Sequence, residues 1–582
     1  MFTLSVPNLF RFSSFRLDQS NFSRCISSNR SLRNIMNNDY TPIISHVRKK
    51  PIFITTPVFT LHSDTIISSL YTAIAADSLK RYYELKGLEV KLSVGASEYG
   101  ALKVKSILGR TDLNLQEQCK NISDKYKKLL DAAMVSYTDF IRTTEKRHEN
   151  AVEHVWNRLI ENDLVYKDKI EGWYSKNDRL FYDEADIKEI THSHSGKKLK
   201  VTNYTGRPVE WHVEERYKFR LSKILPKLME WLKDYEEFIN APNSLHGLIN
   251  KIRQGLVEDV PISRPRSSTD WKSNLPGETE QIIDPLFDAY INYLTVTGFP
   301  WSENNYNKFC PLDIQICPKY ILRSHVIYGP ALLMGIKLSP PKKIFAHSFR
   351  QSRSNAEPFQ VINYYGADVF RYVYLAYVDS SNSNKFSNQN INIWYTMDLV
   401  NQLGQLIHKC LSSQLFPNGP WIPIFSKNTN GIPETDRIIH QALETLPDTI
   451  EKYYKKLEFS KALKQILATI TLANKYFDKI SPIEFVTTKD YISMNRALYY
   501  SFETLRITGI LLQPIMPDRS LKLLNILGIR HNEHKWEDAK FGKGWPILDN
   551  KRRKWAPYLY YNLYPHLPNQ VDDNVFANKD KK

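Results

Sequence analysis

Cysteine is scarce and scattered in this chain. Cys25, Cys119, Cys310, Cys317 and Cys410 are odd in number and form no C-x-x-C pair. That excludes a disulfide-stapled secreted scaffold and a zinc site built on cysteine. Long apolar runs are missing as well. The most apolar stretches, such as residues 329–336, fall far short of the ~18 residues that cross a bilayer as a helix. No Walker A loop, G-x-G-x-x-G pattern, internal repeat or long low-complexity tract occurs, so the common phosphate-cradling glycine motifs and repeat architectures are excluded. His192-Ser193-His194 and His531-Asn532-Glu533-His534 have metal-like spacing but no partner cluster. They read as loop histidines, and no metal site is expected.

The remainder is a large, folded, basic protein. Hydrophobic residues make up 42% and aromatics 12% of 582 residues, which fits several packed domains rather than a disordered chain. Lys and Arg number 79 against 62 Asp and Glu, a formal charge of +17. An excess of that size favours a polyanionic partner, with nucleic acid ahead of membrane. The first 36 residues carry Arg11, Arg16, Arg24, Arg30 and Arg33, no Lys, one acid (Asp18), and interleaved Leu and Phe. This is the composition of a mitochondrial transit peptide, so residues 1–45 are set aside as a leader.

Regular patterning begins near Lys49. Residues 52–59 form a short apolar, Thr-containing run, expected as a buried strand. Ser63 or Asp64 is placed to cap a following helix. Ile67, Leu70, Tyr71 and Ile74 then share one helical face, and Gly87 closes the helix. A second strand at 90–94 completes a strand–helix–strand unit, which predicts a parallel sheet with its ligand at the carboxyl ends of the strands. Residues 172–213 are polar and hairpin-like and read as an insertion. Long helical periods at 435–455, 460–480 and 495–512 predict a terminal α-helical bundle.

Several landmarks, taken in order, resemble the class I methionyl-tRNA synthetase family in its mitochondrial form. They are Thr55-Thr56-Pro57-Val58-Phe59; Phe140-Ile141-Arg142-Thr143-Thr144-Glu145; Glu171-Gly172-Trp173-Tyr174 with Phe181-Tyr182; Ile262-Ser263-Arg264-Pro265 with Trp271; Phe287-Asp288-Ala289 with Tyr293; and Tyr365-Gly366-Ala367-Asp368 with Arg371-Tyr372. The resemblance implies an α/β Rossmann-type catalytic domain with an insertion, followed by an α-helical anticodon-binding-like bundle. The expected segments are a leader (1–45), a first Rossmann half (46–165), a connective insertion without a zinc knuckle (166–215), a second half (216–385), and a helical domain with a basic tail (386–582). The family joins methionine to tRNA through an ATP-derived adenylate.

The departures from the family pattern fall on the chemistry. The family's "HIGH" signature aligns with Ile66, Ile67, Ser68 and Ser69. Its histidines stabilise phosphate charge and its glycine admits ATP against the backbone, whereas Ile66 cannot donate a hydrogen bond. "KMSKS" aligns with Arg350, Gln351, Ser352, Arg353 and Ser354. Arg353 either meets a phosphate or belongs to a basic surface loop. In the substrate pocket, Thr60 replaces a tyrosine, Ser97 the aspartate that receives the amino group, Leu286 a tryptophan, and Tyr320 an acid. Tyr293 and His325 match. Asn474 and Pro482 match anticodon-side positions, but Ile483 stands for a stacking tryptophan and Lys409 ends an altered helix segment. Lys551, Arg552 and Arg553 form a basic run that touches RNA or is a solvated face.

Loss of one preorganised donor costs ~10²–10³ in rate. Several such losses acting as a unit raise the barrier by on the order of 4–8 kcal/mol. The sequence therefore predicts a non-catalytic, synthetase-derived protein of the mitochondrial matrix. Its expected partner is RNA (tRNA or another mitochondrial RNA) or a mitochondrial ribonucleoprotein, with no membrane span and no cofactor. The alternative is a divergent, active methionine–tRNA ligase using ATP with Mg. A cleft filled by Ile66, Leu286 and Tyr320 would mark the lost chemistry.

Overall fold

The computed structural model describes residues 50–60, 66–98, 115–177, 180–191, 198–203, 206–234, 239–240, 242–266, 274–347, 357–377, 387–416, 421–423, 432–544 and 563–565. The proposed leader, Arg350 to Ser354, Lys551 to Arg553, and the histidines at 192 and 194 lie outside the described residues.

The chain opens with β1 (Ile52–Thr60), α1 (Ile66–Leu85) and β2 (Val90–Ser97), the unit expected from its patterning. Gly87, at φ +75°, makes the left-handed turn that ends the helix. Then follow α2 (Leu115–Ala132), β3 (Asp139–Arg142) and α3 (Lys146–Glu161). The insertion is framed by β4 (Val165–Ser175) and encloses β5 (Leu180–Tyr182), β6 (Ile187–Thr191) and β7 (Lys198–Thr202). It closes with β8 (Glu210–Phe219), antiparallel to β4 from Val165↔Phe219 to Tyr174↔Glu210. Next come α4 (Leu221–Asp234), α5 (Pro242–Arg253), β9 (Val260–Pro261), β10 (Ser263–Pro265), β11 (Asn274–Leu275) and β12 (Glu278–Ile283). The second half of the core adds α6 (Pro285–Thr295), α7 (Glu303–Phe309), β13 (Ile314–Pro318), a π-helical turn (Ser324–Tyr328), α8 (Gly329–Gly335) and β14 (Ile344–His347).

Among the described residues the central sheet has the order β14-β13-β1-β2-β3 and is parallel throughout. The chain builds outward from β1 through β2 to β3, then returns to the other side at β13. The order thus reverses between β1 and β13, where an open α/β sheet binds its ligand. Those two strands pair only at Ile54↔Ile314 and Thr55↔Gln315. Pro57 has no N–H to donate, and the β1–β2 register shifts between Thr55 and Val58. Past that point β1 and β13 no longer pair, which leaves a gap at their carboxyl ends.

Alternation along the strands feeds two cores. Ile54, Leu92, Val94, Ile316 and Phe345 face α1, α2 and the helical region. Phe53, Val58, Ile141, Cys317 and Ala346 face α3, α4, α6 and α8. Both faces are therefore covered, as a parallel sheet requires.

Among the described residues the remainder is mostly helical: α9 (Pro358–Tyr365), α10 (Ala367–Tyr377), α11 (Asn388–Trp394) running into a π-helix (Tyr395–Gly404), α12 (Gln405–Cys410), α13 (Glu434–Lys455), α14 (Phe459–Ile480), α15 (Pro482–Thr488), α16 (Tyr491–Leu512) and α17 (Pro517–Ile526). Arg371 on α10 locks this region to the sheet domain. Fully buried, it pairs with Asp77 of α1 at 2.7 Å and donates to the carbonyls of Ile515 (2.8 Å), Pro514 (2.9 Å) and Ala133 (3.2 Å). Burial pushes the Asp77 carboxyl up, but Arg371 and Arg81 outweigh it and hold the group below the usual carboxylate range. No helix among the described residues is long and apolar enough to cross a membrane.

Candidate active-site cleft

The gap between β1 and β13 is a cleft of about 270 Å³. That is just under the ~300–1,000 Å³ typical of drug-sized ligands, so it suits a small occupant. β1 contributes Pro57, Val58 and Phe59, while Ser69 of α1 and Ser97 at the end of β2 line the sheet side. Opposite them stands α6, started by Pro285 and capped by Asp284, whose side chain accepts from the Leu286 N–H at 2.8 Å. Helical spacing turns Leu286, Ala289, Tyr290 and Tyr293 toward the cleft. The segment after β13 closes the wall with Tyr320, Ile321, Ser324 and His325.

Tyr293 and His325 are brought together. Tyr293 Oη lies 2.8 Å from His325 Nε2, and His325 Nδ1 lies 3.0 Å from the Ile321 carbonyl. A carbonyl only accepts, so Nδ1 carries the proton and Tyr293 donates to Nε2. Burial pushes His325 down to about 4, the bond to Ile321 opposing only in part; the ring is neutral at pH 7. Tyr290 packs beside both rings, 5.3 Å from His325 and 5.6 Å from Tyr293. Its seat depends on Gly329, where a Cβ would fall 1.7 Å from the Tyr290 ring. Sequence reading missed both Tyr290 and Gly329; the signal was Tyr290 three residues before Tyr293 on the same face.

Each carboxylate that adjoins a cleft residue in the chain is already committed elsewhere. Glu98 follows Ser97 but binds Arg142 through two nitrogens (2.8 and 3.1 Å), Ser123 at 2.5 Å, and Thr144. Asp284 holds Arg264 at 2.6 Å. Asp288 sits on the far face of α6, buried, 3.2 Å from His148 Nε2. Thr295 Oγ1 donates to Ile291 O (3.1 Å) and so accepts from His148 Nδ1 (3.0 Å). Burial raises the Asp288 carboxyl, with His148 opposing it in part. Among the described residues that line the cleft, none is an acid, a lysine or an arginine.

Filling of the cleft by Leu286 and Tyr320, the sign that would mark lost chemistry, is not seen. Leu286 and Tyr320 sit at its rim, 40% and 58% exposed, and leave the interior open. Ser68 and Ser69 are buried, and Ser68 Oγ has no hydrogen-bond partner among the described residues. Thr60 ends β1, and Ile66 and Ile67 begin α1. A further histidine, His347, closes β14 beside α1. Thr72 Oγ1 donates to Ser68 O (3.0 Å) and accepts from His347 Nε2 (2.7 Å). Burial, with Lys319 nearby, pushes His347 down to about 3.

The RNA candidates do not converge. Asn474, expected to face a base, is turned inward: it is buried and donates to the Gln402 carbonyl in the π-helical turn at 3.0 Å. Lys409 pairs with Asp478 at 2.5 Å. Pro482 is buried and starts α15, while Ile483 beside it is 44% exposed. His531 and His534 lie 5.5 Å apart, and no group of three metal-ligand residues occurs among the described residues.

The family model of the class I tRNA synthetases (M) matches residues 52–411. A methionine–tRNA ligase of Rickettsia typhi is 31% identical over 86% of this chain and 98% of its own length. The mitochondrial methionine–tRNA ligase of Xenopus laevis is 31% identical over 83% and 87%. The Mycobacterium tuberculosis methionyl-tRNA synthetase, solved with methionyl-adenylate bound, superposes with a TM-score of 0.77 at 26% identity, covering 89% of this chain and all of that one. With a family model that spans residues 52–411 and relatives 31% identical over most of its length, this chain belongs to the class I methionyl-tRNA synthetase family.

Proposed function

We propose that this chain is a synthetase-derived protein of the mitochondrial matrix that binds RNA, or a ribonucleoprotein, without aminoacylating it. The observation that carries this reading is that no described residue of the cleft wall is an acid, a lysine or an arginine. Adenylation draws an ammonium, a carboxylate and a triphosphate together, and each needs an opposite charge or strong donors once water is excluded. Ser97 offers only a hydroxyl where the family has an aspartate, and Ser69 only a hydroxyl where it has a histidine. No cofactor enters this reading. The excess of +17 supports a polyanion, and the Arg-rich leader with the Xenopus relative supports the compartment. In purified protein, ATP–pyrophosphate exchange should not respond to methionine, while crosslinking to mitochondrial RNA should weaken steeply with salt. Methionine-dependent exchange, or no RNA in the crosslinked material, contradicts it.

The open cleft and the intact Tyr293–His325 bond favour a second reading: a divergent, active ligase that takes ATP with Mg, methionine and tRNA as substrates. Arg353 would then be its phosphate contact. Charging of mitochondrial methionine tRNA by the purified protein would establish that reading.

A further inference from the structure

We infer that the groove between α3 and α7, at the amino ends of the strands, is a binding site for a free basic amino acid: a ligand with one carboxylate, an α-ammonium and a cationic side chain. The groove lies at the opposite end of the sheet from the cleft. Phe309 of α7 packs 6.0 Å from Phe53, and the Lys91 ammonium lies 4.9 Å from its ring, near the starts of β1 and β2. The cleft opens at the other ends of those strands. The groove's volume of about 560 Å³ falls within the ~300–1,000 Å³ of small-molecule sites. Helical spacing puts His154, Arg158 and Glu161 on one face of α3, and Glu303 and Tyr306 on one face of α7, with Phe299 between them.

The charge in this groove is uncommitted, unlike that beside the cleft. Arg158, Glu161 and Glu303 form no ion pair among the described residues. Burial, with Arg158 close by, pushes the His154 ring below its ordinary value, so it is neutral at pH 7. Among the described residues the wall therefore carries one positive and two negative charges, the inverse of a basic amino acid. Arg158 and Glu161, one helical turn apart, are neighbours of opposite sign, as a carboxylate and an ammonium on a single carbon require. Glu303 comes from the other helix, with aromatic rings at hand. The Phe299 and Tyr306 rings lie 5.5 Å apart at 51°, and His154 meets Phe299 at 5.4 Å. Tilted rings beside a carboxylate suit a guanidinium or ammonium. A purely anionic ligand would face Glu161 and Glu303, and a purely cationic one would face Arg158.

The test titrates the full chain calorimetrically with L-arginine, with agmatine (which lacks the carboxylate) and with L-citrulline (which lacks the side-chain charge). L-Arginine should bind, and each analogue should bind about threefold or more weakly, as expected for ion pairs at partly exposed sites. Arg158→Gln should weaken L-arginine to the level of agmatine and leave agmatine itself unchanged. Glu303→Gln should weaken L-arginine to the level of L-citrulline. Arg158 is half-buried and Glu303 exposed, so both variants should keep the fold, which circular dichroism checks. Failure of L-arginine to bind overturns the inference, and so does equal binding of agmatine or an unaltered affinity in Arg158→Gln. Tighter binding of the tripeptide Ala-Ala-Arg than of L-arginine also overturns it, by assigning the groove to a peptide terminus.

Discussion

The junction at Arg371 and the cleft at Tyr293 belong to the same α/β frame and differ in their charge. At the junction a guanidinium and a carboxylate are fully buried, and each is surrounded by partners: Asp77 accepts from Ser136 and Arg81 as well as Arg371, and Arg371 reaches carbonyls from two segments. Glu98 with Arg142, and Asp284 with Arg264, repeat the pattern. At the cleft the wall is apolar side chains, hydroxyls and a neutral histidine. Buried charge is costly unless fully partnered. In this chain it is kept where it ties elements together and, among the described residues, is missing from the cleft wall.

That contrast can be broken first at the junction. Arg371→Met leaves Asp77 short of a partner and strands three carbonyls, and should destabilise the protein by ~3–5 kcal/mol; a urea midpoint at pH 7 that hardly moves would show that the junction is ornamental. Acid attacks the neutral histidines next. The folded value of His325, about 4, lies below an unfolded value of ~6.5, so the unfolded state binds more protons between them. Stability is unaffected above pH 6.5 and falls as pH drops toward 4, by ~3 kcal/mol from His325 alone. His325→Gln should flatten that slope in melts from pH 7 to 4. Gly329→Ala drives a methyl into Tyr290 and should cost ~1–3 kcal/mol, most of it relieved in a Tyr290→Leu background. Smallest is the rim: Tyr320→Ala should change stability by less than ~0.5 kcal/mol, which marks the cleft edge as free of any structural duty.

Much of the frame was legible in the sequence because local signals agreed with the global fold. The run at 52–59, the helix closed by Gly87, and the strand at 90–94 became β1, α1 and β2. The helical periods at 435–455, 460–480 and 495–512 became α13, α14 and α16. Tyr293 and His325 were found through the resemblance and do meet. Non-local pairing was harder to see. Arg371 lies in an apolar run (Val369 to Ala376) and Asp77 in another (Ile74 to Leu79), and a charge inside each of two buried helices was the available sign that they pair. Asn474 was misread for a related reason: its sequence position says nothing about the Gln402 carbonyl that the π-helix sets beside it. Whether Leu286 and Tyr320 fill the cleft was not legible in the sequence, because helix phase and loop geometry decide it, and they place both on the rim.

The most direct test of the proposed link between an uncharged cleft wall and a loss of chemistry is ATP–pyrophosphate exchange by the purified full chain, with and without saturating L-methionine. The account predicts identical exchange in the two samples. A methionine-dependent rate within about 10²-fold of a working methionine–tRNA ligase, the loss expected from a single missing donor, would contradict it.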